Sequence, residues 1–211
     1  MKKNPRDGLS AGHGEGSRHP GQSDSGANVI GDGLPAKTED DYTLEMCQSV
    51  RADLRAVYSA AGQGFVMLRD SGLYSRADND CALNDCDLFI EFHTDSLTAT
   101  STGVGTFYRT DRAQKLAAML AKNGAHALGL RNRGARRNDT FAVLDVHPGM
   151  DSVLVEMFFG SNKSDTRAFL KHRDAFVLAM VNCILTWHGW NTVSKRPSQW
   201  TAAEKAAYKP I

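Results

Sequence analysis

Three residues in this 211-residue chain stand where their chemistry is hard to overlook. His13 lies between glycines in "LSAGHGEG", His93 terminates the apolar run "DLFIEF", and Glu156 interrupts "SVLVEMFF" near its end. Imidazoles bind metals and carry protons near neutral pH, and a carboxylate inside an apolar run is costly to bury without a partner or a task. Singly, each has a plainer reading. His13 suits a solvated glycine-rich loop, and His93 suits a hydrogen-bonded strand end. Along "DLFIEFH" the period of two puts Phe89, Glu91 and His93 on one face, so a further carboxylate accompanies the histidine.

These residues need elements to hold them. From Glu39, apolar residues Leu44, Cys47, Val50, Leu54, Val57 and Ala61 recur every three or four positions, which predicts a helix ending at Gly62 and Gly64. "FVMLR", 65–69, reads as a short buried strand. Leu73 to Asn84 reads as a weaker helix, "CDLFIEFH" as a strand and "GVGTFYR", 103–109, as another. Ala113, Leu116, Ala117, Leu120 and Leu128 trace a helix that closes at "LGLRNRG". "FAVLDV" and "SVLVEMFF" are two more β-branched apolar runs, followed by a helix start at "GSNKSD" with Ser164 as the cap.

Strands and helices in alternation, with nearly continuous apolar strands, predict a single α/β domain: a mainly parallel twisted sheet with helices on both faces. The stretch before Glu39 is rich in Gly, Ser, Asp and Asn and reads as a long functional loop. The domain spans residues 1–190, and 191–211 form a short C-terminal tail, too small for its own core.

The 25 basic and 24 acidic residues nearly cancel, so the formal charge of +1 argues against nucleic acid as the main partner. The cluster Arg131, Arg133, Arg136 and Arg137 is either a solvated loop or a site for carboxylates and anionic polymers. Cys47, Cys81, Cys86 and Cys183 form no CxxC pair and read as reduced thiols. "MKKNPRDG" lacks an apolar segment behind its lysines, and no run reaches the roughly 20 apolar residues of a membrane span. The expectation is therefore synthesis in the cytoplasm without a signal peptide.

In order along the chain come "GHGEG", "SDSGA", "EDDYTLEMC", "DLFIEFHTDS", "RNRG" and "VLVEMFFGSN". This succession, over roughly Leu9 to Leu185, resembles the zinc-dependent N-acetylmuramoyl-L-alanine amidases of type 3, and the ordered set is far more specific than any single motif. The resemblance implies one zinc ion held by His13, Glu39 and His93, with Glu156 as the catalytic acid and base. Glu39 is preferred to Glu45, Asp40 and Asp41 because Glu39, Asp41 and Leu44 match the spacing of the family motif. Two imidazoles and one carboxylate leave a tetrahedral position open, as a hydrolytic zinc needs. The implied substrate is peptidoglycan, cut between N-acetylmuramic acid and L-alanine.

The chain departs from the family in two places. Its leader offers only Leu9 and Ala11 as a first strand, which should be short or at an edge, and Glu91 stands where the family commonly has a small residue. Glu91 is then either a partner of a ligand histidine or satisfied elsewhere. Asp95 and Ser96 follow His93 with no assigned role, and Asn162 fits a loop-fixing role after Glu156. His19, His126, His147, His172 and His188 match no motif and read as surface or structural. The resemblance, with the missing leader, suggests a monomeric phage-type endolysin that reaches the wall through a membrane pore. A bacterial autolysin or cell-separation amidase, or a non-catalytic wall-binding protein of the same fold, are the alternatives.

Overall fold

The structure, a computed structural model, describes residues 4–15, 23–29, 37–69 and 76–210. The chain runs through β1 (Arg6–Ala11), β2 (Gly14–Glu15), β3 (Ser23–Asp24), β4 (Asn28–Val29), β5 (Lys37–Thr38), α1 (Glu39–Ala61), β6 (Phe65–Arg69) and α2 (Ala77–Leu83). It continues through β7 (Leu88–Asp95), β8 (Val104–Tyr108), α3 (Asp111–Leu128), β9 (Asn132–Arg137), β10 (Asp151–Phe159), α4 (Lys163–Trp187) and α5 (Ala202–Ala207). Six strands form one sheet in the order β6-β1-β7-β10-β8-β9, while β2 with β3 and β4 with β5 make two small ladders beside it. The first four strands are parallel. β8 then runs antiparallel to β10, and β9 runs parallel to β8.

The two faces of the sheet are covered unequally. Leu9, Leu88, Ile90, Phe92, Val153 and Val155 pack against α1, α3 and α4 in one large core. Burying side chains of this size removes most of their apolar area from water, worth about 1.5–3 kcal/mol each. On the other face, among the described residues, Phe89 and Leu154 share a smaller cluster with α2, Cys86, Met150 and a 3₁₀ turn at Ala142–Leu144. That thin cover leaves the carboxyl ends of β7 and β10 reachable from outside.

Several local expectations change. β1 is not an edge strand: it lies between β6 and β7 and pairs with both over most of its length. Its polar Asp7 is tolerated there because Tyr58 and His188 both hydrogen-bond it. "FAVLDV" is not a strand but the 3₁₀ turn, and the arginine-rich stretch expected as loop is instead the edge strand β9. Asn162, not Ser164, caps α4, its Oδ1 accepting the Ser164 amide at 2.8 Å, while its Nδ2 donates to the Ser101 carbonyl at 2.9 Å. The weaker helix is real but shorter, at Ala77–Leu83, and residues 73–75 lie outside the described residues.

The final segment is docked. Arg196 ion-pairs with Asp53 of α1, the Ser198 amide donates to the same carboxylate at 2.8 Å, and Trp200 and Tyr208 pack on the main core. All four cysteines are buried thiols outside any disulfide. Among the described residues no helix is long and apolar enough to cross a membrane.

Candidate metal centre

The parallel register of β1, β7 and β10 brings three chain segments to one end of the sheet. Ala11 pairs with Phe92, and Glu156 lies level with His93 on the neighbouring strand. His13 follows two residues after Ala11, where the Gly12 amide still donates to the Phe92 carbonyl at 2.9 Å. A Cβ at Gly12 would sit 2.3 Å from the His93 ring, so the chain passes the histidine only as glycine. His13 itself has φ +69, a left-handed conformation uncommon for a residue with a side chain and typical of strained functional positions.

Glu39 arrives from another direction, at the first turn of α1. Its backbone amide donates to the Ala27 carbonyl at 2.9 Å and that of Asp40 to the Ser25 carbonyl at 3.2 Å, which ties the preceding turn to the helix start. Gly26 within that turn has φ +66, and a Cβ there would lie 2.6 Å from His13 Cδ2 and 2.7 Å from Glu39 Oε2. The helix N-terminus favours a carboxylate at this place. Glu39 Oε2 accepts from the Ala27 amide at 3.0 Å and Oε1 from the Thr94 amide at 2.9 Å, so the group is held from both sides.

His13 Nε2 lies 3.3 Å from Glu39 Oε2, and His93 Nδ1 lies 3.0 Å from Glu39 Oε1. One donor atom from each of the three can be chosen so that all lie within 4.8 Å of one another. Each imidazole has its other nitrogen on a carboxylate: His13 Nδ1 is 3.1 Å from Asp24 Oδ2, and His93 Nε2 is 2.9 Å from Glu91 Oε1. Carboxylates in that place fix the ring and leave the inner nitrogen for a metal. A set of two imidazoles and one carboxylate on three rigid segments suits zinc.

The rival carboxylates are occupied elsewhere. Glu45 pairs with Lys37 and Arg173, while Asp40 and Asp41 bond Thr38 at the helix cap. Among the described residues, the motif-free histidines lie away from this cluster. His188 binds Asp7, His147 Nε2 sits 3.0 Å from Asp78 and His172 marks a kink in α4. His19 falls outside the described residues.

Charges at the centre hold one another. Burial would raise the Glu39 pKa, but hydrogen bonds from His13 and His93 overcome it and hold the carboxyl well below the usual range. Burial would lower both imidazoles, yet Glu39 raises His13, and Glu39 with Glu91 raises His93 well above its ordinary value. Glu156 behaves differently: burial lifts its pKa to about 7, with Asp95 and Glu39 adding repulsion against the pull of His93 and Arg133. A carboxyl poised there exchanges a proton readily at neutral pH.

Glu156 Oε2 is buried with no hydrogen-bond partner. The group lines a cavity of about 470 Å³ together with His13, Glu91 and His93 on one side and Phe141, Val143 and Leu154 on the other. One wall is therefore polar and reactive and the other apolar.

The basic cluster divides. Arg133 turns inward, binding Asp95 at 2.7 Å and stacking 4.4 Å over the Phe159 ring, whereas Arg137 pairs with Asp111 and Asp139 in solvent. Arg131 and Arg136 are exposed. The Arg133 to Asp95 pair gives Asp95 a role that sequence reasoning left open. Asp24, the partner of His13, was missed as an individual residue, although it stands in the "SDSGA" turn already noted.

The chain matches the family described as N-acetylmuramoyl-L-alanine amidase over residues 8–184. It is 28% identical over 166 residues to an uncharacterized protein, YqiI, of Bacillus subtilis (strain 168), covering 74% of this chain and 71% of that protein. Its fold is similar to the catalytic domain of CwlV, an N-acetylmuramoyl-L-alanine amidase from Bacillus (Paenibacillus) polymyxa var. colistinus. That match has TM-score 0.73 at 23% identity, over 87% of this chain and 97% of the other. It is also similar to the catalytic domain of the CD27L endolysin targeting Clostridia difficile, with TM-score 0.69 at 18% identity, over 87% and 98%. The amidase AmiC2 of Nostoc punctiforme matches with TM-score 0.69 at 23% identity, over 89% and 98%. With the family matched across most of its length and the fold shared, this chain belongs to the N-acetylmuramoyl-L-alanine amidases.

Proposed function

We propose that the chain hydrolyses the amide between N-acetylmuramic acid and L-alanine of peptidoglycan, with one zinc ion held by His13, Glu39 and His93 and with Glu156 moving the proton. The observation that carries this reading is the placement of Glu156 level with His93 on the adjacent strand, so that a proton-exchanging carboxyl faces the donor set across one cavity. Zinc bound there supplies Lewis acidity, polarising an amide carbonyl and lowering the pKa of water to about 7.

The protein's own groups do the rest. Asp24 and Glu91 hold the imidazoles, and the Ala27 and Thr94 amides hold Glu39, so the donors are set before substrate arrives. Glu156 accepts a proton from the attacking water at its unpartnered Oε2 and returns it to the alanine nitrogen as the C–N bond breaks. That leaves a lactyl carboxylic acid, which gives its proton to solvent, and a free amine, with Glu156 back in its starting state. The apolar wall of Phe141, Val143 and Leu154 receives the methyl groups of the lactyl and alanyl units and keeps bulk water away.

For the setting we propose a monomeric lytic enzyme of endolysin type acting at the bacterial cell wall. The likeness to an endolysin catalytic domain supports it, and the comparable likeness to bacterial amidases keeps a wall-remodelling amidase as the alternative. Purified peptidoglycan is the substrate for the test: new amino-terminal L-alanine should appear, stop with a chelator and return with zinc. Wall binding without chelator-sensitive release would leave only a binding protein. Cleavage of a sugar-free peptide as fast as a muropeptide would move the substrate to free peptides. Rapid clearing of intact cells by added protein would favour the lytic setting, and slow trimming without lysis would favour remodelling.

A further inference from the structure

We infer that Glu91 is a positioning residue that commits the Nε2–H of His93 and so determines how firmly the centre retains its metal. The inference rests on the proposed metal centre and adds a residue to it. Glu91 is 1% exposed, in the middle of the central strand β7. Its Oε1 lies 2.9 Å from His93 Nε2, and its Oε2 is buried with no hydrogen-bond partner.

A carboxylate buried with half of its acceptors unused costs the fold stability, because desolvation is offset only in part. Nothing in the packing of β7 requires it: its same-face neighbour Phe89 is apolar and fully buried. What the group does accomplish is local to His93. A neutral imidazole has one N–H and one lone pair, and once Nε2–H donates to Glu91 the lone pair belongs to Nδ1. Nδ1 is the nitrogen 3.0 Å from Glu39, on the side where the three donors converge. Asp24 does the corresponding work for His13 through the opposite ring nitrogen, but at a more exposed place, 14% against 2% for the Glu91 side chain. In its drier surroundings the Glu91 hydrogen bond is the stronger of the two.

Metal retention separates experimentally from support of the fold when a variant that keeps the acceptor is compared with one that removes it. Zinc affinity is measured by competition with a chromophoric chelator, and Tm is measured on the metal-free protein, for wild type, Glu91→Leu and Glu91→Gln. Leucine has similar bulk, leaves little room for a replacement water and accepts no hydrogen bond. Glu91→Leu should bind zinc about 10–100-fold more weakly at a temperature below its metal-free unfolding transition. Glu91→Gln, whose amide oxygen still accepts from Nε2–H, should recover most of the affinity. Unchanged zinc affinity in Glu91→Leu, or an equal loss of affinity in Glu91→Gln, would overturn the inference. If wild type takes up no zinc, the metal centre itself falls; wild-type uptake with undiminished affinity in Glu91→Leu removes only the role of Glu91.

Discussion

Two histidine–carboxylate clusters occupy opposite ends of the same strands. At the amino end of β1, Asp7 is fully buried, with one oxygen bound by the Tyr58 hydroxyl and the other 2.7 Å from His188 Nε2. At the carboxyl end, His13, Glu39 and His93 converge, while Glu91 and Glu156 each keep one buried oxygen without a partner. The first cluster is saturated and sealed beneath α1 and α4. The second has acceptors to spare and opens onto a cavity. Residue type alone does not distinguish them; the unspent hydrogen-bonding capacity does, since native interiors seldom leave buried polar atoms unmade without a use.

The strongest way to break that comparison is at Glu156. Glu156→Gln keeps the shape and removes the exchangeable proton, so hydrolysis of peptidoglycan should fall about 10²–10⁴-fold. Zinc content and Tm should hold, because a costly buried carboxyl has been replaced by a neutral amide. Full turnover in this variant, measured as released amino-terminal alanine, would take the proton-transfer role away from Glu156.

How far the sequence disclosed this difference depends on the element. β7 and β10 were legible because their apolar runs are long and β-branched, and the residues that interrupt or end them, Glu91, His93 and Glu156, were visible for the same reason. β1 was undervalued. Its Asp7 and Ser10 look wrong for a central strand, and the groups that satisfy Asp7 come from Tyr58 and His188, far away in the chain. β9 was invisible because an edge strand of Asn, Arg and Gly carries no apolar signal, its register being supplied by β8. "FAVLDV" misled in the opposite sense, since an apolar run of that length fits a strand and a packed 3₁₀ turn equally well. The proposed ligand set came from resemblance to a family, whereas Asp24 follows from the folded geometry, which also selects the histidine-partner reading of Glu91 over the alternative that it is satisfied elsewhere.

His13→Ala tests the open cluster from the metal's side. Zinc retention should drop by more than the roughly 10–100-fold expected from losing an outer hydrogen-bond partner, because a donor itself is gone. Elemental analysis after dialysis should find well under one ion per chain. Wild-type metal content would remove His13 from the set and leave Asp24 holding an idle ring.

The sealed cluster should respond in the opposite manner. His188→Ala strips a hydrogen-bond partner from buried Asp7 and should cost about 1–3 kcal/mol, the penalty of an unsatisfied buried acceptor. Denaturant unfolding measures this. Zinc content below the transition should match wild type, and a loss of metal instead would mean that the two ends of β1 are coupled.

The smallest effect sharpens the comparison at the level of backbone. Gly26 and Gly62 both adopt left-handed conformations, φ +66 and +67, but a Cβ at Gly26 would press on His13 and Glu39, whereas at Gly62 nothing lies within 4 Å. Alanine at either position carries the same conformational strain of about 1–2 kcal/mol. Gly62→Ala should therefore lower stability by that amount and leave zinc binding intact. Gly26→Ala should show the same strain and also weaken zinc, because its methyl group displaces two of the three donors. Equal zinc affinity in the two variants would show that the close approach at Gly26 does not shape the centre.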